Sequence, residues 1–247
     1  MTIPETVRRL ERDLRGIFGP RLASLSIYGM STEARRANAD AHPHGAHGQT
    51  EPRTQTLAVV DSLSGADLRA CAERVDAWHE GGLATPLVVA AHEFDRSLDA
   101  FPLEFGAIIA DHTIVGGSNP FSGLAVDAAD LRRAVEVQAR SHLLHLREGY
   151  LETRGRADAL AVLVVSSAPA LTALLLSVAR LEGRATDEGV SAARHAERTL
   201  GLTSGILAEI VALANVREIS SADAQRFFAP YLDAVERLVK HVDSWRK

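Results

Sequence analysis

Three histidines within six residues, in the run His42-Pro43-His44-Gly45-Ala46-His47-Gly48, are the densest set of possible metal ligands in the chain. Neutral imidazoles bind Zn²⁺ or Ni²⁺. Against that reading, no acid or cysteine adjoins the trio of His42, His44 and His47, and their spacing matches no closed four-ligand site. Glycine and proline around them favour a solvated loop. Three acids could serve a harder cation: Glu104 in Phe101-Pro102-Leu103-Glu104-Phe105, and Asp61 and Glu51 on either side of Leu57-Ala58-Val59-Val60. Asp61 has a competing role, capping the turn Ser62-Leu63-Ser64. Arg140 and His145 resemble the arginine–histidine pair of helical ribonucleases and fall within about one and a half turns of one helix; surface or interdomain polarity is the stronger reading of them. His79-Glu80 lacks the second histidine of a zinc-protease helix. Cys71 is the only cysteine, so no intrachain disulfide forms, and its neighbours place it on an apolar helix face.

The elements that position these groups are read from periodicity. Ile3, Val7, Leu10, Leu14 and Phe18 have helical spacing, stopped by Gly19-Pro20. Residues 22–28 alternate as a strand ending at Gly29. The polar stretch 30–53, with Arg35-Arg36, reads as a short helical start followed by a loop, mobile over about residues 38–52. Strands are predicted at 57–60, 87–90 and 103–109, with a brief edge strand at 113–115. Helices are predicted at 66–79, with Leu68, Cys71, Val75 and Trp78 on one side, and at 93–98. Beyond Gly123 only helical patterns occur: 127–151, 156–165, 168–181, 187–200, 204–215 and 222–245, with Ser204 and Ser221 as caps. The fold class is therefore an α/β domain with a mixed sheet, residues 1–125, followed by an all-α helical bundle, residues 126–247.

The 247 residues, 46% hydrophobic and 24% charged, describe a folded chain, and a net charge of −5 gives no global attraction to nucleic acid or anionic membrane. The charged segment Thr2 to Arg15 lacks a signal-peptide core, and an intracellular, cytoplasmic setting is expected. Residues 159–179 carry no charge over a length that spans a bilayer. Pro169 is expected to divide them into two core helices.

The strand and turn from Leu22 to Met30 resemble the opening of the nucleotidyltransferase superfamily. Phe101-Pro102-Leu103-Glu104-Phe105 looks like the strand carrying that family's third carboxylate, and His112-Thr113-Ile114-Val115-Gly116 resembles the segment after it. The following helix, with Arg132 and Leu144-His145-Leu146-Arg147, is similar to the helical bundle of some members. The resemblance rests on the order of segments and covers most of the chain. It implies a phosphate-binding turn at Gly29, Met30 and Ser31, with Thr32 beyond. It also implies two Mg²⁺-binding acids at alternate positions of the second strand, where this chain has Thr54 and Thr56. Glu104 alone matches. The implied reading is a transferase fold without transfer, binding a small molecule or a protein partner and needing no cofactor. The alternatives are an active Mg²⁺-dependent enzyme using Glu104, Asp61 and a loop histidine, or a helical module forming a homodimer. Thr54 and Thr56 are expected beside Glu104 and opposite the Gly29 turn, so that Thr54→Asp with Thr56→Asp would raise Mg²⁺ affinity.

Overall fold

The computed structural model describes residues 3–29, 53–184, 186 and 188–246. The chain divides into two compact units, Met1–Asp127 and Ala128–Lys247.

The first unit begins with helix α1 (Glu5–Phe18), whose Val7, Leu10, Leu14 and Phe18 form one buried stripe. Strands β1 (Leu22–Tyr28), β2 (Gln55–Val60), β3 (Leu87–Ala90) and β4 (His112–Gly117) form a mixed sheet in the order β3-β2-β1-β4. β1 runs antiparallel to β2 and β4, and β2 runs parallel to β3. Side chains alternate between two cores. Leu25, Ile27, Ala58 and Val60 meet α1 on one face. Tyr28, Leu57 and Val59 meet Phe94, Phe105 and Ile108 on the other. Those aromatic and aliphatic groups come from α4 (Ala91–Ala100) and α5 (Pro102–Ala110).

Residues 103–109, expected as the fourth strand, are helical, and the strand beside β1 is the later segment 112–117. A short apolar run reads as either structure. Pro102 settles it by occupying the first helical turn, where its missing N–H costs nothing, and Phe105 and Ile108 then share one buried face. The end of β4 requires glycine: Gly117 has φ +82°, and a Cβ there would lie 2.0 Å from the Ala23 carbonyl oxygen. The single helix expected over 66–79 is two, α2 (Gly65–Ala72) and α3 (Val75–Glu80). Ser64 and Asp67 cap α2 reciprocally, and Asp67 also accepts two hydrogen bonds from the Arg21 guanidinium at 2.8 and 2.9 Å. Leu68, expected inward, is exposed.

Among its described residues the second unit has helices and no strand: α6 (Ala128–Thr153), α7 (Ala157–Leu181), α8 (Gly189–Leu200), α9 (Ile206–Ala212) and α10 (Ser221–Ser244). α7 runs unbroken through Pro169, against the expected division. Ser166 and Ser167 hydroxyls donate to the carbonyls of Leu163 and Val164 beside the proline, and packing holds the rest, because Val164, Ala168, Leu171, Leu174 and Leu175 are fully buried. α7 is long and apolar enough to cross a membrane, and half of its most apolar 18-residue window is buried within the bundle. Ser220 rather than Ser221 caps α10, accepting from the Asp223 N–H, and Gly205 rather than Ser204 precedes α9.

Two polar sets tie these helices. His142 Nε2–H donates to Tyr231 Oη at 2.8 Å, Tyr231 donates to Ser167 Oγ at 3.2 Å, and Ser167 donates to the Val164 carbonyl. This chain of donors sets the His142 tautomer. At the end of α7 the Glu182 carboxylate accepts from His195 Nε2 of α8 and His241 Nε2 of α10, each at 2.5 Å.

Candidate functional site

β1 delivers the chain to Tyr28 and Gly29 at one end of the sheet. Both antiparallel neighbours start there, so Tyr28 is flanked by Gln55 on one side and His112 on the other. Gly29 turns the chain away with φ +60°, and its N–H donates to the Asp111 carbonyl at 3.2 Å.

As direct cross-strand partners, Tyr28 and His112 share a face, the one that α5 covers. Tyr28 is buried, and its phenol is pushed up to about 12, first by loss of solvent and then by the charge of Glu104. It is a neutral O–H throughout the physiological range. Glu104 sits in the first turn of α5. His112 follows the same helix: its Nδ1 lies 3.2 and 3.0 Å from the carbonyl oxygens of Ile108 and Ile109, the last turn of α5. Those acceptors require the proton on Nδ1 and leave Nε2 with a lone pair that meets no partner among the described residues. The Phe121 ring packs against the imidazole at 4.4 Å. A phenol, a carboxylate and an oriented imidazole therefore gather at one end of one face, able to donate a hydrogen bond, to carry negative charge and to accept a proton.

Thr54 and Thr56 lie elsewhere. Thr56 pairs with Ile27 and shares its face with Ala58 and Val60, under α1. It is 0% exposed, and its Oγ1 has no hydrogen-bond partner. Thr54 bridges to Leu83 of the same core, its N–H donating to the Gly82 carbonyl at 2.9 Å. The two threonines share a face, as alternation demands, but Glu104 approaches the opposite one. The expected grouping is not formed because Glu104 rides on a helix, and β2 is flanked by β1 and β3. Asp61 follows the far end of β2, roughly 17 Å of strand away from Gln55, where its N–H donates to the Arg21 carbonyl at 2.8 Å.

Met30, Ser31, Thr32, His42, His44, His47 and Glu51 lie outside the described residues, as does the loop expected at 38–52. Among those described, no group of three or more His, Cys, Asp or Glu side chains is arranged to hold a metal ion. Arg140 is committed to Glu136 at 3.3 Å and Asp243 at 2.6 Å, while His145 shares a hydrogen bond with Ser141. Cys71 is buried, and burial followed by the charge of Asp67 pushes its thiol pKa up, away from reactivity. Tyr28 and His112 went unnoticed as site residues in the sequence. The available signal was a histidine just past a helix end, where it can meet the last carbonyls.

No family model matches the sequence, and no curated protein matches it. Among solved structures the chain is similar to spectinomycin adenyltransferase AAD(9) from Enterococcus faecialis, determined with ATP and spectinomycin. The TM-score is 0.51 at 11% identity, over 94% of this chain and 98% of that one. At that identity the likeness is one of fold: a nucleotidyltransferase-like mixed sheet with a mostly helical remainder.

Proposed function

We propose that this chain is a nucleotidyltransferase-like protein that no longer performs metal-dependent transfer and binds a small ligand at the sheet end bordered by Tyr28, Glu104 and His112. The observation that carries the reading is Thr56, which stands where the resemblance calls for a metal-binding acid. It is neutral, wholly buried and turned to the face away from Glu104. Mg²⁺ sheds its water reluctantly and needs anionic oxygens in near-octahedral array. A hydroxyl sealed beneath α1 offers neither charge nor access.

The test is calorimetry of the intact protein with ATP, GTP, CTP and UTP, each with and without Mg²⁺, alongside an assay for pyrophosphate release. Binding that ignores Mg²⁺, with no pyrophosphate released, is the expected result. Mg²⁺-dependent transfer abolished by Glu104→Gln would establish the rival reading of a working enzyme with a rearranged site. The oriented imidazole of His112 favours that rival, since it supplies a proton acceptor on the same face as Tyr28. Silence with every nucleotide would leave a protein-binding role, with the helical unit as a homodimer contact. A cytoplasmic location accompanies this reading and rests on the single buried cysteine.

A further inference from the structure

Among the described residues β3 is an edge strand, bonded to β2 alone, and α4 begins at the very next residue and folds back along it. Between strand and helix lies an open groove of about 430 Å³, within the range of small-molecule sites. Val88 and Val89 line its strand side. His92 and Arg96, one turn apart on α4, line the helix side. Neither makes a hydrogen bond or ion pair with any other described residue, so no described group takes up the guanidinium donors. Glu93 also lines the groove and turns one carboxylate oxygen to the Ala90 N–H at 3.3 Å, closing the strand–helix junction. Phe101 ends α4 at the rim with 57% of its surface open, an unusual exposure for a ring that could have joined the Phe94–Phe105 cluster beside it.

We propose that this groove binds a small aromatic anion, a flat ring carrying a phosphate or carboxylate group. A guanidinium fork takes either anion through two parallel N–H···O bonds. His92 adds a donor one turn away, and a ring resting between Phe101 and the valine floor gains the offset stacking that aromatic pairs prefer. Inorganic phosphate meets only the cationic half of the groove, and a neutral arene only the apolar half. The assignment is independent of the site at Tyr28, Glu104 and His112 and stands whether or not that site binds nucleotide.

The experiment is a ¹⁵N–¹H correlation titration of the full chain with phenyl phosphate, benzoate and inorganic phosphate. Shifts should concentrate in residues 88–101, and an aryl anion should bind at least about tenfold more tightly than inorganic phosphate, a gap of about 1.4 kcal/mol. Whichever of phenyl phosphate and benzoate binds more tightly identifies the anion. Arg96→Gln should weaken both about tenfold or more, while Phe101→Ala should bring phenyl phosphate down to the level of inorganic phosphate. Both positions are exposed, and unchanged thermal unfolding of each variant confirms that the fold is intact. Absence of shifts at 88–101 for every ligand at millimolar concentration overturns the proposal. So does binding that Arg96→Gln leaves intact.

Discussion

Buried against Tyr231, the His142 imidazole is held neutral: loss of solvent, and then the charge of His145, lower its pKa to about 4. Unfolding returns it to the ordinary range near 6.5. Above that value neither state is protonated and His142 adds no pH dependence. Between about 6.5 and 4 the unfolded chain takes up a proton that the folded chain refuses, so stability falls as pH falls, by roughly 3 kcal/mol across the window. Urea unfolding at pH 7.5, 5.5 and 4.5 should show this loss. His142→Gln, which keeps a donor toward Tyr231, should flatten it, and an unchanged slope would place the acid sensitivity in other groups. Thr56 makes a second test. Thr56→Val removes a hydroxyl that has no partner and should be neutral or mildly stabilising. Thr56→Asp buries a charge and should cost about 3 kcal/mol or more, with no gain in Mg²⁺ affinity; tighter Mg²⁺ binding by the aspartate variant would contradict the placement of Thr56 under α1. That placement was only half legible in the sequence. Alternation showed that Thr54 and Thr56 share a face, but which face depends on where α1 packs, and no local pattern encodes that.

Helix α7 carries its own strain. Pro169 removes the N–H that would reach the Val165 carbonyl, a defect worth about 3 kcal/mol in an ordinary helix interior. Pro169→Ala restores the bond but also frees the unfolded chain, at a cost of about 0.4–1 kcal/mol. A net stabilisation of about 2 kcal/mol is expected, read as a higher urea midpoint at unchanged slope. A drop in the midpoint would show that the proline shapes the bundle rather than burdens it. The sequence pattern misjudged this element because proline's cost is local, whereas the burial that outweighs it comes from helices far along the chain. The opposite error occurred at 103–109, where the apolar run was legible and its conformation was not. Pro102 held the deciding information, since it starts a helix readily and would spoil a strand. α1, β1, β2 and β3 were legible because periodicity and stop signals agree there: Gly19-Pro20 after Phe18, and Gly29 after Tyr28.

Across the whole chain, protection should follow the number of partners each element has. β1 is hydrogen-bonded on both sides, and α7 is packed by α6, α8, α9 and α10. Their amides should exchange last within their respective units, and those of the four-residue edge strand β3 should exchange early. Native-state hydrogen exchange checks this directly, and a slow β3 would mean that its free edge is covered in solution. The pairing of Tyr28 with Gln55 has a further consequence. β1 ends and β2 begins at the same end of the sheet, so Gly29 and Thr54 flank strand ends that are direct neighbours. The entropy of closing a connection between neighbouring ends grows slowly with its length, by about 0.6 kcal/mol per doubling, so the pairing of Tyr28 with Gln55 tolerates changes in the number of residues that separate the two strands in sequence. If selection has diversified this protein, the interval between Gly29 and Thr54 is where length variation among descendants should accumulate first.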